Sequence, residues 1–281
     1  MASLTTQQHD RDVAGLTYVY PVMSRRAGGL SIGINFNPNN ACNWRCVYCQ
    51  VPHLQRGAAP EMAFDLLEEE LRSFLAQVVS GEFFERFQIA EEQRVIKDIA
   101  ISGNGEPTSL KTFDHAIRLI GKIASDMGLF PAANFVVISN GSLIHLPLVK
   151  RGLVELARYE GELWFKLDSA TPEGRMLIND SRQSQAALLK NLELASHLCA
   201  VKLQTCAFHY RHAWSTQEKA AYLALLARLK AQDIKIRRVL LYGIARASCQ
   251  PEASALEHMA REELEALAAE IAALGYDVSV N

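Results

Sequence analysis

Apolar and polar positions along the 281 residues switch repeatedly between a period near two and a period near 3.6. Residues 30–36, LSIGINF, read as a strand. Residues 61–79 read as a helix, with Phe64, Leu67, Leu71, Phe74, Leu75 and Val78 on one face. A polar and aromatic insertion, 81–94, precedes a strand at 95–102 and a helix at 110–126. The alternation continues with strands at 134–139 and 163–168, and helices at 144–158 and about 182–197. A fifth strand is expected at 201–208 and a sixth at 234–243. Between them, Ser215 and Glu218 have the spacing of a capping box before a helix that runs to about 230. A last helix at about 259–274 stops at Gly275, and DVSV closes the chain.

Six β-then-α units imply an α/β fold with a parallel sheet and right-handed crossovers. Pattern alone fits an open doubly wound sheet or a short relative of the eight-fold barrel. Both place chemistry at the C-terminal ends of the strands. Residues 1–27 read as a polar lead-in and 28–281 as one domain. Composition narrows the function. The chain is 49% hydrophobic with a net charge of -2, so it is not mainly disordered and carries no field to hold a polyanion. No long uncharged apolar run suggests a membrane helix, and residues 1–12 lack the pattern of a signal peptide. A reducing cytoplasm is the expected location, where six cysteines are not a disulfide framework.

Three of those cysteines follow the first strand in NPNNACNWRCVYCQ: Cys42, Cys46 and Cys49, spaced C-x3-C-x2-C. Packing, a structural zinc site and a four-iron cluster are the readings to weigh. Zinc usually takes four protein ligands in pairs, and Cys199, Cys206 and Cys249 are scattered singly. Three thiolates on a four-iron cluster leave one iron open to a ligand. With Tyr48 just before the last cysteine, this segment resembles the signature of the radical S-adenosylmethionine (SAM) superfamily. The resemblance implies a partial (β/α)6 TIM-like barrel, with Cys42, Cys46 and Cys49 on a [4Fe-4S] cluster. It also implies SAM on the open iron, reductive SAM cleavage to a 5′-deoxyadenosyl radical, and Tyr48 near the adenine.

The later strand ends carry the same resemblance. Gly103-Asn104-Gly105-Glu106 is similar to the superfamily's glycine-rich segment at the SAM amino group, and Asn104 between the glycines departs from it. As bare chemistry it is a tight turn whose glycines permit close backbone approach. Ser139-Asn140-Gly141 resembles the strand end that meets the ribose or carboxylate of SAM. Lys166 and Asp168 share a strand face, as a SAM or substrate contact or as a buried ion pair. Lys202, Gln204 and Cys206 share the next. Cys206 is either a small buried hydrophobe or a hydrogen donor to substrate. Arg246 is a candidate anion contact or a solvated residue. Ser24-Arg25-Arg26 is a basic lead-in that either covers one barrel end or forms a solvated turn.

Within the superfamily these motifs look similar to the group named for the tRNA wyosine-base synthase. No cysteine precedes Cys42, so the second cluster of the archaeal synthases is not expected, and the charge does not support a tRNA footprint. The near-bare core implies a small or medium substrate and a reductant such as flavodoxin or ferredoxin. A glycyl-radical activase, a tRNA-modifying enzyme and a non-enzymatic iron–sulfur redox protein are the alternatives.

Overall fold

The computed structural model describes residues 15–24 and 28–281. In chain order the first elements are β1 (Val19–Ser24), β2 (Gly29–Ile34) and the two-residue β3 (Ala41–Cys42) and β4 (Gln55–Arg56). Helices α1 (Phe64–Val79) and α2 (Glu82–Arg86) lead to β5 (Ile96–Ile101), α3 (Phe113–Asp126), β6 (Asn134–Ser139) and α4 (Pro147–Arg158). Then come β7 (Glu162–Lys166), α5 (Pro172–Asn179), α6 (Gln185–Leu198), β8 (Ala200–Cys206) and β9 (Phe208–His209). The chain ends with α7 (Thr216–Ala231), β10 (Arg238–Tyr242), β11 (Glu257–His258), α8 (Arg261–Ala273) and β12 (Val278–Val280).

The main sheet has eight strands in the order β1-β2-β5-β6-β7-β8-β10-β12, parallel throughout except for β1. A doubly wound sheet reverses its strand order at a switch point. Here the parallel strands add in strict sequence order. With crossovers of one hand, that order keeps the helices on one face and curls the other inward. The architecture is therefore the partial TIM-like barrel, and periodicity alone left that choice open.

The expected strands and long helices form close to their predicted bounds. Leu67, Leu71, Phe74, Leu75 and Val78 of α1 are buried as the spacing requires. Three local expectations change. The segment expected as a polar lead-in contains β1, which pairs with β2 from Val19↔Ile34 to Ser24↔Gly29; Arg25 and Arg26 lie outside the described residues. The insertion at 81–94 is packed against α1 through Phe83, whose ring meets Phe74 edge-on at 5.2 Å. The capping box at α7 is half formed: Ser215 accepts from the Glu218 N–H, but the Glu218 carboxylate reaches Ser169 and Thr171 instead.

An acid holds β1 in place. Glu70 sits among the buried apolar residues of α1, and its carboxylate accepts from the backbone N–H groups of Thr17, Tyr18 and Val19 at 2.7, 2.8 and 3.3 Å. These are the donors an antiparallel edge leaves unpaired at the strand's start. Glu70→Ala is expected to lower unfolding stability by about 2–4 kcal/mol. Urea titration of both proteins checks this, and amide hydrogen exchange should show faster opening at residues 17–19. A change below about 0.5 kcal/mol, the range of an ordinary surface substitution, would remove Glu70 from this role.

Candidate functional site

The cysteine segment leaves the C-terminal end of β2 and is fixed first by asparagines. Asn35 Oδ1 accepts from the N–H groups of Asn37 at 3.0 Å and Asn104 at 3.1 Å. Asn37 Nδ2 donates to the Ala41 carbonyl at 2.8 Å, one residue before Cys42. Such Asx contacts organise a turn without regular secondary structure. The glycine turn packs directly on this segment. Gly103 has φ +154, and a Cβ there would lie 2.4 Å from Asn35 Oδ1. A Cβ on Gly105 would lie 1.9 Å from the Ala41 carbonyl oxygen. The close approach that these glycines permit is thus to the chain leading into the cysteines.

The middle of the loop lies on the C-terminal end of α5. Arg45 N–H donates to Asn179 O at 3.1 Å and Val47 N–H to Ile178 O at 2.8 Å. Asn179 Nδ2 donates to Cys46 Sγ at 3.2 Å, and the Trp44 N–H to Cys42 Sγ at 3.4 Å. N–H groups aimed at cysteine sulfur are a recognised lever on iron–sulfur sites. Burial and the neighbouring Glu106 push the Cys42 thiol up to about 12; burial, partly offset by Lys166, pushes Cys46 to about 12. None of the six cysteines is in a disulfide.

Glu106 is 2% exposed. Oε1 accepts from Thr108 N, Thr108 Oγ1 and Ser139 Oγ at 3.1, 2.5 and 2.6 Å, and Oε2 from Asn140 N at 2.7 Å. Burial raises its pKa while these bonds oppose the rise. The carboxylate therefore ties the ends of β5 and β6 together. It aims Asn140, whose Nδ2 donates to Asn43 Oδ1 at 2.8 Å beside Cys42.

Asp168 does the same for the next strand ends. Its Oδ2 accepts from Tyr48 Oη and from Asn179 Nδ2, and its Oδ1 accepts from Cys206 N–H at 3.1 Å. Burial and Asp168 hold the Tyr48 hydroxyl protonated, well above its ordinary value. Lys166 Nζ donates to Tyr242 Oη at 3.2 Å and lies 5.0 Å over the Tyr48 ring. Burial alone would lower its pKa, but Tyr242, Asp168 and Cys46 hold it raised, so the side chain stays an ammonium.

A segment after β10 closes over the loop. Ser248 Oγ donates to Val47 O at 2.7 Å, Cys249 N–H to Cys49 O at 2.9 Å, and Arg246 to Gln50 Oε1 at 3.2 Å. Arg45 and Glu252 form a two-point ion pair at 2.9 Å.

A cavity of about 790 Å³ opens beneath. Its wall includes Cys42, Cys46, Cys49 and Tyr48, the turn from Gly103 to Glu106, and Asn140, Lys166 and Cys206. Two expected ligand contacts are not in the wall. Ser139 is buried and bonds to Glu106, and Asp168 is buried and bonds to Tyr48. Cys199 is remote and buried, a small hydrophobe, and Cys249 is exposed in the closing segment. Among the described residues no three His, Cys, Asp or Glu side chains are close enough to hold one metal ion. A mononuclear zinc site needs sulfurs all within about 2.3 Å of one ion, whereas a cluster spreads its ligands over several irons.

Sequence reasoning missed Asn35, Asn43, Asn179, Ser248 and the Arg45–Glu252 pair. The asparagine density before Cys42 and Thr171 ahead of Pro172, an N-cap followed by proline, were available signals. The partners 200 residues downstream left no local trace.

Residues 36–210 match the family model for the radical SAM superfamily. The fold is similar to a radical SAM methyltransferase from Sphaerobacter thermophilus, with TM-score 0.61 and 14% identity over 96% of this chain and 70% of that one. It is also similar to anSMEcpe with bound AdoMet, with TM-score 0.52 and 14% identity over 89% of this chain and 63% of that one. Among curated proteins, the GTPase Obg of Brachyspira hyodysenteriae is 29% identical over 127 residues, 44% of this chain but 15% of its own length. This chain has no G-x4-G-K-[S/T] phosphate loop. No helix among the described residues is long and apolar enough to cross a membrane.

Glu106→Ala strips the acceptor from four donors and is expected to cost about 3 kcal/mol or more, read by urea unfolding. A second expectation concerns Asp98 in the cavity wall, which burial raises from 3.8 to about 6. The folded state then binds the proton more tightly than the unfolded one. Its contribution is present below pH 4 and is lost as pH rises to 6, by on the order of 2–3 kcal/mol. Relative to wild type, Asp98→Asn should therefore gain stability between those pH values; parallel melting curves across that range would refute the assignment.

Proposed function

The chain belongs to the radical SAM superfamily, and on that premise we propose that Cys42, Cys46 and Cys49 hold a [4Fe-4S] cluster with SAM beside it. The superfamily makes it an enzyme rather than an electron carrier. The observation that supports the cofactor assignment most is placement. Three cysteines outside any disulfide, on one loop at the C-terminal end of the parallel strands, open on the cavity walled by the Gly103–Glu106 turn. Two of them already accept N–H bonds from Trp44 and Asn179.

When bound, these groups supply reductive cleavage of SAM and a 5′-deoxyadenosyl radical able to take hydrogen from a substrate. The chain's own contribution is positioning and exclusion of water. Gly103, Asn104 and Gly105 offer a backbone edge to the SAM amino acid moiety. Glu106 presents that turn and orients Asn140 with three of its four bonds reaching residues other than Asn140. Tyr48, pinned by Asp168, forms the wall toward the adenine. Lys166 places a fixed positive charge in the same wall, suited to a carboxylate of SAM or substrate. Cys206 offers a thiol hydrogen at the inner face.

A small or medium substrate is supported by the cavity of about 790 Å³, a volume in the range of small-molecule pockets. Electrons come from a reductant of the flavodoxin or ferredoxin kind. Kinship to the wyosine-base synthase group rests on the sequence motifs, and the near-neutral net charge favours a small molecule over tRNA as substrate.

Anaerobic reconstitution with iron and sulfide tests the reading. Wild type is expected to show a reduced-cluster EPR signal that shifts on adding SAM, and to release 5′-deoxyadenosine with dithionite. Cys42→Ala, Cys46→Ala and Cys49→Ala should each lose the signal and the product while remaining folded by circular dichroism. Stoichiometric zinc with neither signal nor cleavage would sink the proposal.

A further inference from the structure

Below the cysteine loop the cavity continues down the barrel interior. The register identifies the inward positions: Ser31 beside Asp98, Gly33 beside Ala100, then Ile138, Trp164 and Lys202, then Lys166 beside Gln204. On one side Gly33 makes room for the Tyr20 ring, which a Cβ there would approach to 2.2 Å, and Ala100 adds only a methyl to the wall.

The polar groups of this interior are unevenly satisfied. Lys202 Nζ is taken by Glu162 Oε1 at 2.7 Å, and Trp164 Nε1 donates to the same oxygen at 2.7 Å. Lys166 is committed at the other end, to Tyr242 and the aromatic rings. Asp98, 8% exposed, keeps one donor among the described residues, the hydroxyl of Ser31 on Oδ1. Among the described residues no cation pairs with it, and Glu162 nearby adds a like charge. Gln204, 6% exposed, has no side-chain hydrogen bond among the described residues, and its amide atoms are not sealed from the cavity. Buried polar groups are ordinarily paired within the protein. A carboxylate and a carboxamide left open to one chamber are complementary to something that enters it.

We propose that this interior is the substrate chamber and that it selects a small primary amine, bound as an ammonium on Asp98 with a neutral polar group on Gln204. This rests on the radical SAM reading above and deepens it. An ammonium supplies the counter-charge that Lys202 gives to Glu162 and that Asp98 lacks. A carboxylate placed at this depth would be repelled by Asp98, whereas one placed at Lys166 would not. The open amide of Gln204 offers both a donor and an acceptor, so it accommodates a hydroxyl, carbonyl or amide on the same molecule.

The test uses the reconstituted enzyme holding its cluster and SAM. Release of 5′-deoxyadenosine without added substrate reports the radical reading by itself. Calorimetry on the same enzyme then measures binding of ethanolamine, 1,4-diaminobutane, glucosamine and the common amino acids. Each amine is paired with the analogue carrying hydroxyl in its place. At least one amine should bind about 30-fold or more tighter than its analogue, a preference of the size expected for a buried charge pair. Asp98→Asn should erase that preference. Gln204→Leu should weaken the amine about tenfold while leaving the amine-over-hydroxyl ratio in place. Absence of any amine preference, or its survival in Asp98→Asn, would overturn the proposal. If Asp98→Asn does not fold, the wild-type ratio and Gln204→Leu decide it. Amine selectivity in a protein that cleaves no SAM upholds the ammonium site and removes the radical reading instead.

Discussion

A buried carboxylate, held by hydrogen-bond donors and paired with no cation among the described residues, is the constraint around which the top of this barrel is arranged. Glu106 is tolerated because four protein donors converge on it. Those donors come from its own turn and from the end of the neighbouring strand, so satisfying the charge fixes the two strand ends relative to each other. Asp168 repeats the device two strands further on, collecting Tyr48, Asn179 and the Cys206 N–H. The cysteine loop is held between these two carboxylates. Each converts the desolvation penalty of a buried carboxyl group into a demand for fixed geometry.

The two ends of the interior therefore differ in kind. Around the cysteines nearly every polar side chain is committed to another part of the chain, which is what preorganisation requires. Deeper in the barrel the accounting is incomplete, with Asp98 and Gln204 left open. A site that carries out one demanding chemistry is rigid where that chemistry is shared and adaptable where the substrate is chosen. The same fold supports many substrates in this way, because exchanging inward residues of the lower layers leaves the upper ones in place.

Much of this architecture was legible in the sequence. Alternation of period located the six parallel strands of the β-then-α units within a few residues, and C-x3-C-x2-C with Tyr48 marked the loop before any coordinates. The strand order decided what periodicity could not, because an open sheet and a barrel bury the same apolar pattern. The edge strand β1 escaped notice because Val19–Ser24 is short and follows a polar stretch. Ser139 and Asp168, expected against a ligand, lie outside the cavity wall and bond to Glu106 and Tyr48. A strand-end polar residue reads identically in sequence whether it faces a cavity or the residue behind one. Contacts such as Arg45 with Glu252 depend on tertiary proximity alone, and no local propensity encodes them.

The segment that follows β10 bears on the order in which the protein matures. Ser248, Cys249 and Glu252 fasten the cysteine loop from positions roughly 200 residues later in the chain. During synthesis the three cysteines emerge well before the residues that fasten them. Until those residues are made, the loop lacks the bonds that Ser248, Cys249 and Glu252 give it. The loop gains its final shape only when the closing strands have docked.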